Sequence, residues 1–183
     1  MSVLYLPPCP TDCTGSVQSV SFNDCAPETH YGEISKVYLG PSDLADFADV
    51  TSLAEWVGKL ADTGDDKIRT LIGMGDKPEP EQTETPISGD RIVFGYKKFL
   101  FNFDVDETNE TNYNFMAMAE CGGQFKVWYE TSDGILYGGN AGLEVSVKVN
   151  EVIPRERTGV VKHIYRFSWQ SKQHPYRCIS PMA

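Results

Sequence analysis

The chain is short of several things that common functional classes require. It has no uninterrupted apolar run near the roughly 20 residues of a membrane span, so it is not a helical membrane protein and no membrane partner is expected. Basic residues are scarce: 16 Lys/Arg face 26 Asp/Glu, for a net charge of −10. Such a surface repels phosphate and disfavours nucleic-acid affinity built on counterion release. Nucleophile–base motifs are missing too. Three His (His30, His163, His174) lie scattered, no G-x-S-x-G occurs, and Gly73-Met74-Gly75-Asp76-Lys77 lacks both the spacing and the trailing Ser or Thr of a Walker A loop. The opening MSVLYLPPCPTDC has no basic n-region and is broken by Pro7 and Pro8, so no signal peptide is expected. No internal repeat is visible at the usual periods.

The five Cys (Cys9, Cys13, Cys25, Cys121, Cys178) are an odd number, which argues against a secreted disulfide framework. Cys9, Cys13 and Cys25 with His30 have the ligand types of a zinc site, but C-x3-C-x11-C-x4-H matches no strong zinc signature. Thiols or a local disulfide are the simpler reading, and no metal or cofactor is assigned.

What the chain does have is a core. Nine Phe, nine Tyr and three Trp in 183 residues suit one β-rich domain. Residues 1–32, rich in Pro, Cys, Ser and Thr, read as an extended arm. EISKVYLG (33–40) reads as a strand, and residues 42–60 as two short helices or one helix and a turn, with Thr51 or Ser52 as a cap. KIRTLIG (67–73) is a weak strand. Residues 73–90, with three Pro, three Gly and many acids, read as a long exposed loop.

RIVFGYKKFLFNFDV (91–105) places Phe99, Phe101 and Phe103 on one face of a long strand. TNETNYNFMAMAEC (108–121) turns helical, capped by Thr108 and stopped by Gly122-Gly123. FKVWYE and ILYG flank Ser132-Asp133-Gly134 as a hairpin. LEVSVKVNEVI (143–153) and VVKHIYRFSWQ (160–170) alternate as antiparallel strands, and residues 172–183 read as a C-terminal arm. The expected fold is mainly β: an antiparallel β-sandwich or small barrel over 33–171, with one packed helix and extended N- and C-terminal arms.

The sharpest chemical motif is Asp104-Val105-Asp106-Glu107-Thr108, the D-x-D-x-T of haloacid-dehalogenase-type phosphotransferases. That chemistry needs later carboxylates on parallel strands, yet only Asp133, Glu130, Glu144, Glu151 and Glu156 follow the helix, among antiparallel hairpins. The same acids fail as an EF-hand, because position six is Asn109 and position twelve is Phe115. His163 on an alternating strand reads as packed, and Trp56, Trp128 and Trp169 as core. No catalytic, cofactor-binding or metal-binding residues are assigned, and no enzyme is expected.

In layout over roughly residues 33–170, the chain resembles tailed-bacteriophage virion proteins of the tail-tube type. The likeness is carried by GEISKVYLG, by RIVFGYKKFLFNFDVDETNETNYNFMAMAE and by FKVWYETSDGILYGG with the two long strands after it. The resemblance implies a non-enzymatic virion subunit, assembled in the host bacterial cytoplasm. Such subunits form rings that stack into a tube, with DNA as non-specific passing cargo and other tail or head proteins as partners. An acidic lumen would let DNA slide. Residues 1–110 hold 20 Asp/Glu against eight Lys/Arg, whereas 154–183 hold six Lys/Arg and only Glu156, an asymmetry that suits self-association. Two alternatives stand beside this reading. One is a head–tail connector, head-completion or capsid-decoration protein. The other is a carbohydrate-binding adhesive sandwich that stacks sugars on Trp128 and on Tyr129 or Tyr137.

Overall fold

Strict alternation sets the centre of the molecule. In β7 (Leu143–Val152) Val145, Val147 and Val149 turn inward while Glu144, Ser146, Lys148 and Asn150 face out. β8 (Lys162–Ser171) does the same with His163, Tyr165, Phe167 and Trp169, pairing antiparallel from Ser146↔Ser168 to Val152↔Lys162. The computed structural model describes residues 20, 25, 26, 29, 30, 32–61, 64, 67–88, 91–121 and 123–183. It completes these elements with β1 (Ile34–Pro41), α1 (Leu53–Ala61), β2 (Arg69–Asp76), β3 (Glu81–Ser88), β4 (Arg91–Val105), α2 (Glu110–Glu120), β5 (Gln124–Thr131), β6 (Ile135–Tyr137) and β9 (Arg177–Ile179).

The fold is mainly β. Strands run in the order β1-β2-β4-β8-β7-β5, and β5 pairs back onto β1, so six antiparallel strands close into a barrel. Its interior is aromatic: Phe99, Phe101 and Phe103 of β4 meet Tyr129, Tyr165, Phe167 and Trp169, with Phe101 stacked on Phe167 at 4.5 Å.

A second core lies outside the barrel wall. Tyr38 of β1 and Trp128 of β5 point outward and are covered by Leu44, Phe47, Val50, Trp56, Ile68, Leu136 and Cys178. Both indoles are satisfied, Trp56 donating to the Val50 carbonyl and Trp128 to the Gly139 carbonyl, each at 2.8 Å. The turn over Trp128 needs glycine twice. Gly138 and Gly142 have φ of 132° and 74°, and a Cβ there would meet the indole at 2.5 and 2.7 Å.

Four expectations change. Among the described residues two helices are present where one is expected to pack on the barrel: α1 follows Ser52, and residues 42–50 form turns, as the helix-and-turn reading of 42–60 has it, that deliver Leu44 and Phe47 to the second core. The cap of α2 is Asn109, not Thr108; its side chain accepts the Asn112 N–H at 2.9 Å. Residues 73–90 are not a long loop, for β2 runs to Asp76 and β3 occupies 81–88, pairing with β4. Composition hid β3 because it is an edge strand, where Pro86 loses no ladder bond on its open side. Residues 172–183 do not extend away. β9 pairs with β6 and buries Cys178, and the Ser180 hydroxyl donates at 2.6 Å to the buried Glu130 carboxylate. Most of the expected N-terminal arm, 1–32, lies outside the described residues; within it, His30 meets Asp133 at 3.0 Å.

Glu130 also accepts from Lys36 Nζ at 2.8 Å and from the Tyr38 hydroxyl at 3.1 Å. Burial, then the Glu130 charge, holds Tyr38 well above the ordinary tyrosine range. Burial does the same to Tyr129 and pushes Tyr165 up to about 12. Above the unfolded value near 10, the unfolded chain sheds protons that the folded chain keeps, so stability falls as pH rises from there towards 12. In an alkaline titration, the tyrosinate absorbance of these three residues should grow only together with the loss of tertiary circular dichroism. Phe101→Ala should cost about 3–5 kcal/mol in urea unfolding. Phe94→Ala, on the same strand but exposed, should stay within about 0.5 kcal/mol.

Candidate functional site

β4 is too long for its barrel. Fifteen residues at about 3.3 Å each span roughly 50 Å, yet only Lys97–Val105 pair with β8. The N-terminal half, Arg91 to Tyr96, pairs with β3 alone and stands out as a hairpin. No layer covers this hairpin among the described residues. Ile87, Ile92, Val93, Phe94 and Tyr96 are all exposed, Phe94 at 59% and Ile87 at 60%. The far edge of β3 pairs with no described strand, which leaves backbone N–H and C=O groups open beside an apolar surface. The sequence carried a signal for this overhang in the length of the 91–105 run, which the Phe99-Phe101-Phe103 alternation masked.

The residues singled out for chemistry do not converge. Asp104 faces outward on β4, 3.4 Å from Lys162, while Asp106 and Thr108 lie exposed in the link to α2. Among the described residues no group of three or more His, Cys, Asp or Glu is placed to hold a metal ion. Of the zinc candidates, Cys9 and Cys13 lie outside the described residues, and Cys25 is exposed. His163 is buried, with Glu151 3.8 Å from Nε2, beyond hydrogen-bond reach, and neither ring nitrogen has a hydrogen-bond partner among the described residues.

The sugar-stacking platform fails on burial. Trp128 and Tyr129 are closed to solvent, and Tyr137 is half-buried, stacked on Tyr129 at 4.8 Å. All three Trp belong to the two cores.

One end of the barrel opens into a cleft of about 790 Å³ bordered by Lys77, Tyr137, His174 and Arg177. Lys77 Nζ sits 5.3 Å over the Phe99 ring, and burial lowers its pKa. Burial, then the charges of Lys97 and Lys77, lowers that of His174. Glu33 and Asp76 border the same cleft. The cleft therefore mixes both signs, and the Thr131 hydroxyl on its wall donates to Asp133, which also meets His30.

Native-state hydrogen exchange should separate the two halves of β4. The amides of 91–96 are expected to exchange several orders of magnitude faster than those of 99–105, which lie in the closed barrel. Compared with known proteins, the chain matches no family model, no curated protein and no solved structure.

Proposed function

We propose that this protein is a self-assembling structural subunit, and in its full form a tail-tube subunit of a tailed bacteriophage. Its rings would stack into a conduit for DNA inside the virion. The observation that carries the reading is the β3–β4 hairpin. The barrel closes its own strands, whereas the hairpin holds five exposed large apolar side chains and an edge that pairs with no described strand. Adding a neighbour's strand to that edge satisfies the backbone and covers the apolar surface together.

Magnitudes favour assembly over a simple pair. Burying Ile92, Val93 and Phe94 is worth roughly 1.5–3 kcal/mol each, against about 4–15 kcal/mol for lost freedom on association. A single hairpin barely covers that cost, whereas a closed ring gains a contact without a further loss of free subunits. The net charge of −10 suits a conduit that must not hold the DNA passing through it.

Light scattering after gel filtration over a concentration series, with negative-stain images of the same fractions, tests the reading. Rings or tubes with a central channel are expected from the wild type. Ile92→Glu/Phe94→Glu should be monomeric and melt with the wild type held below its assembly concentration. A wild type that stays monomeric at every concentration would defeat the tube reading, and would favour a head–tail connector, head-completion or decoration protein whose hairpin docks on the capsid or portal.

A further inference from the structure

The barrel has two unlike faces on opposite sides. In the closed order β1-β2-β4-β8-β7-β5, β8 lies across from β1 and β4 across from β5. The outer face of β1 and β5 carries the second core with α1 upon it. On α1, Leu53 and Val57 are 52% and 55% exposed and sit four residues apart, hence one above the other on the helix. The segment leading into this helix carries Asp43, Asp46 and Asp49, all exposed. Asp46 is paired with Lys126 at 2.7 Å, but Asp43 and Asp49 have no described cation within ion-pair distance. Lys59 does not neutralise them: its ammonium donates to the Ala45 carbonyl at 2.7 Å and lies over Phe47.

The opposite face is a shallow groove of about 420 Å³ across β4, β8 and β7. Leu100 lies within it, rimmed by Lys98, Lys148 and Arg166, and Glu79 and Glu81 border it too. Lys148 and Arg166 stand directly opposite one another on paired strands. Like charges in that register destabilise a sheet. None of the three cations has a described carboxylate within ion-pair distance, although the chain carries far more acid than base. Among the described residues the subunit thus keeps a basic pair without an ion-pair partner beside an apolar spot, and on its far side an apolar pair beside Asp43 and Asp49, neither ion-paired, though Asp49 accepts from the Thr51 N–H and hydroxyl.

We infer that a second copy of the chain fills the groove, seating Leu53 and Val57 of its α1 against Leu100 and setting Asp43 and Asp49 towards Lys98, Lys148 and Arg166. The two surfaces differ and lie on opposite sides of one barrel, so the contact is heterologous. It repeats from copy to copy until it closes a ring or runs on as a filament. This inference rests on the self-assembly reading and names the surfaces that meet beside the hairpin. Because the hairpin alone barely covers the cost of association, each junction requires both contacts.

Two variants and their mixture test it. Lys148→Gln/Arg166→Gln disables the groove and removes a like-charge pair, so it should melt no lower than the wild type held below its assembly concentration. Leu53→Lys/Val57→Lys disables the α1 face at two exposed positions and should melt with that dissociated wild type. Each alone should need at least ten times the wild-type concentration to assemble, and wild-type assembly should weaken as salt rises. Mixed in equal amounts, the groove variant's intact α1 face meets the other variant's intact groove. Heterodimers and nothing larger are expected. Either variant assembling like the wild type would overturn the inference while leaving the self-assembly reading intact, as would a mixture no more associated than its parts. A wild type that never associates would defeat both.

Discussion

Two neighbouring strands are buried on both faces, and everything else is arranged around them. Along β1, Val37 to Gly40 are closed to solvent without a break, and along β5, Val127 to Glu130 are too. Alternation sends Val37, Leu39, Val127 and Tyr129 into the barrel, and Tyr38 and Trp128 into the second core. A strand buried on one side only can shift register at the expense of one core. A shift here would empty both, since every side chain would change faces. The β1–β5 seam therefore closes the barrel, fixes its register, and supplies the floor on which α1, β6 and β9 rest.

Burial at this seam also explains its polar chemistry. Glu130 shares the outward face with Trp128, and a carboxylate there is tolerable only if it is hydrogen-bonded. Lys36, Tyr38 and Ser180 provide that, from the first strand and from the end of the chain. The barrel interior is less complete. Tyr129 and Tyr165 hydroxyls, the Trp169 indole N–H and both His163 nitrogens are buried without a hydrogen-bond partner among the described residues.

Much of the barrel was legible in the sequence because period-two alternation is a strong signal: β7, β8 and the Phe99-Phe101-Phe103 half of β4 could be read residue by residue. What escaped was set by partners. β3 was hidden by Pro86 and its acids, because an edge strand needs only one neighbour, and β4 supplied it. β9 is three residues long, and only its pairing with β6 makes it a strand. The cap passed to Asn109 because the helix begins at Glu110, one turn position later than the Thr108 pattern suggested. The surfaces assigned to function were the least legible of all. Phe94 and Phe101 look alike in the sequence, and only the barrel's height decides that one is buried and the other bare.

The seam has a consequence in time. β1 meets β5 about 90 residues further along the chain, and β9, which helps cover the second core, follows β1 by well over a hundred residues. Contacts this distant in sequence form slowly, since the loop must close before they yield any gain. The β3–β4 hairpin is local and can form at once. A newly made chain therefore displays its sticky element before its barrel is shut. Pro86 on the edge and the Lys97-Lys98 pair at its base blunt that hairpin, guarding an open edge against aggregation while the barrel is still unclosed.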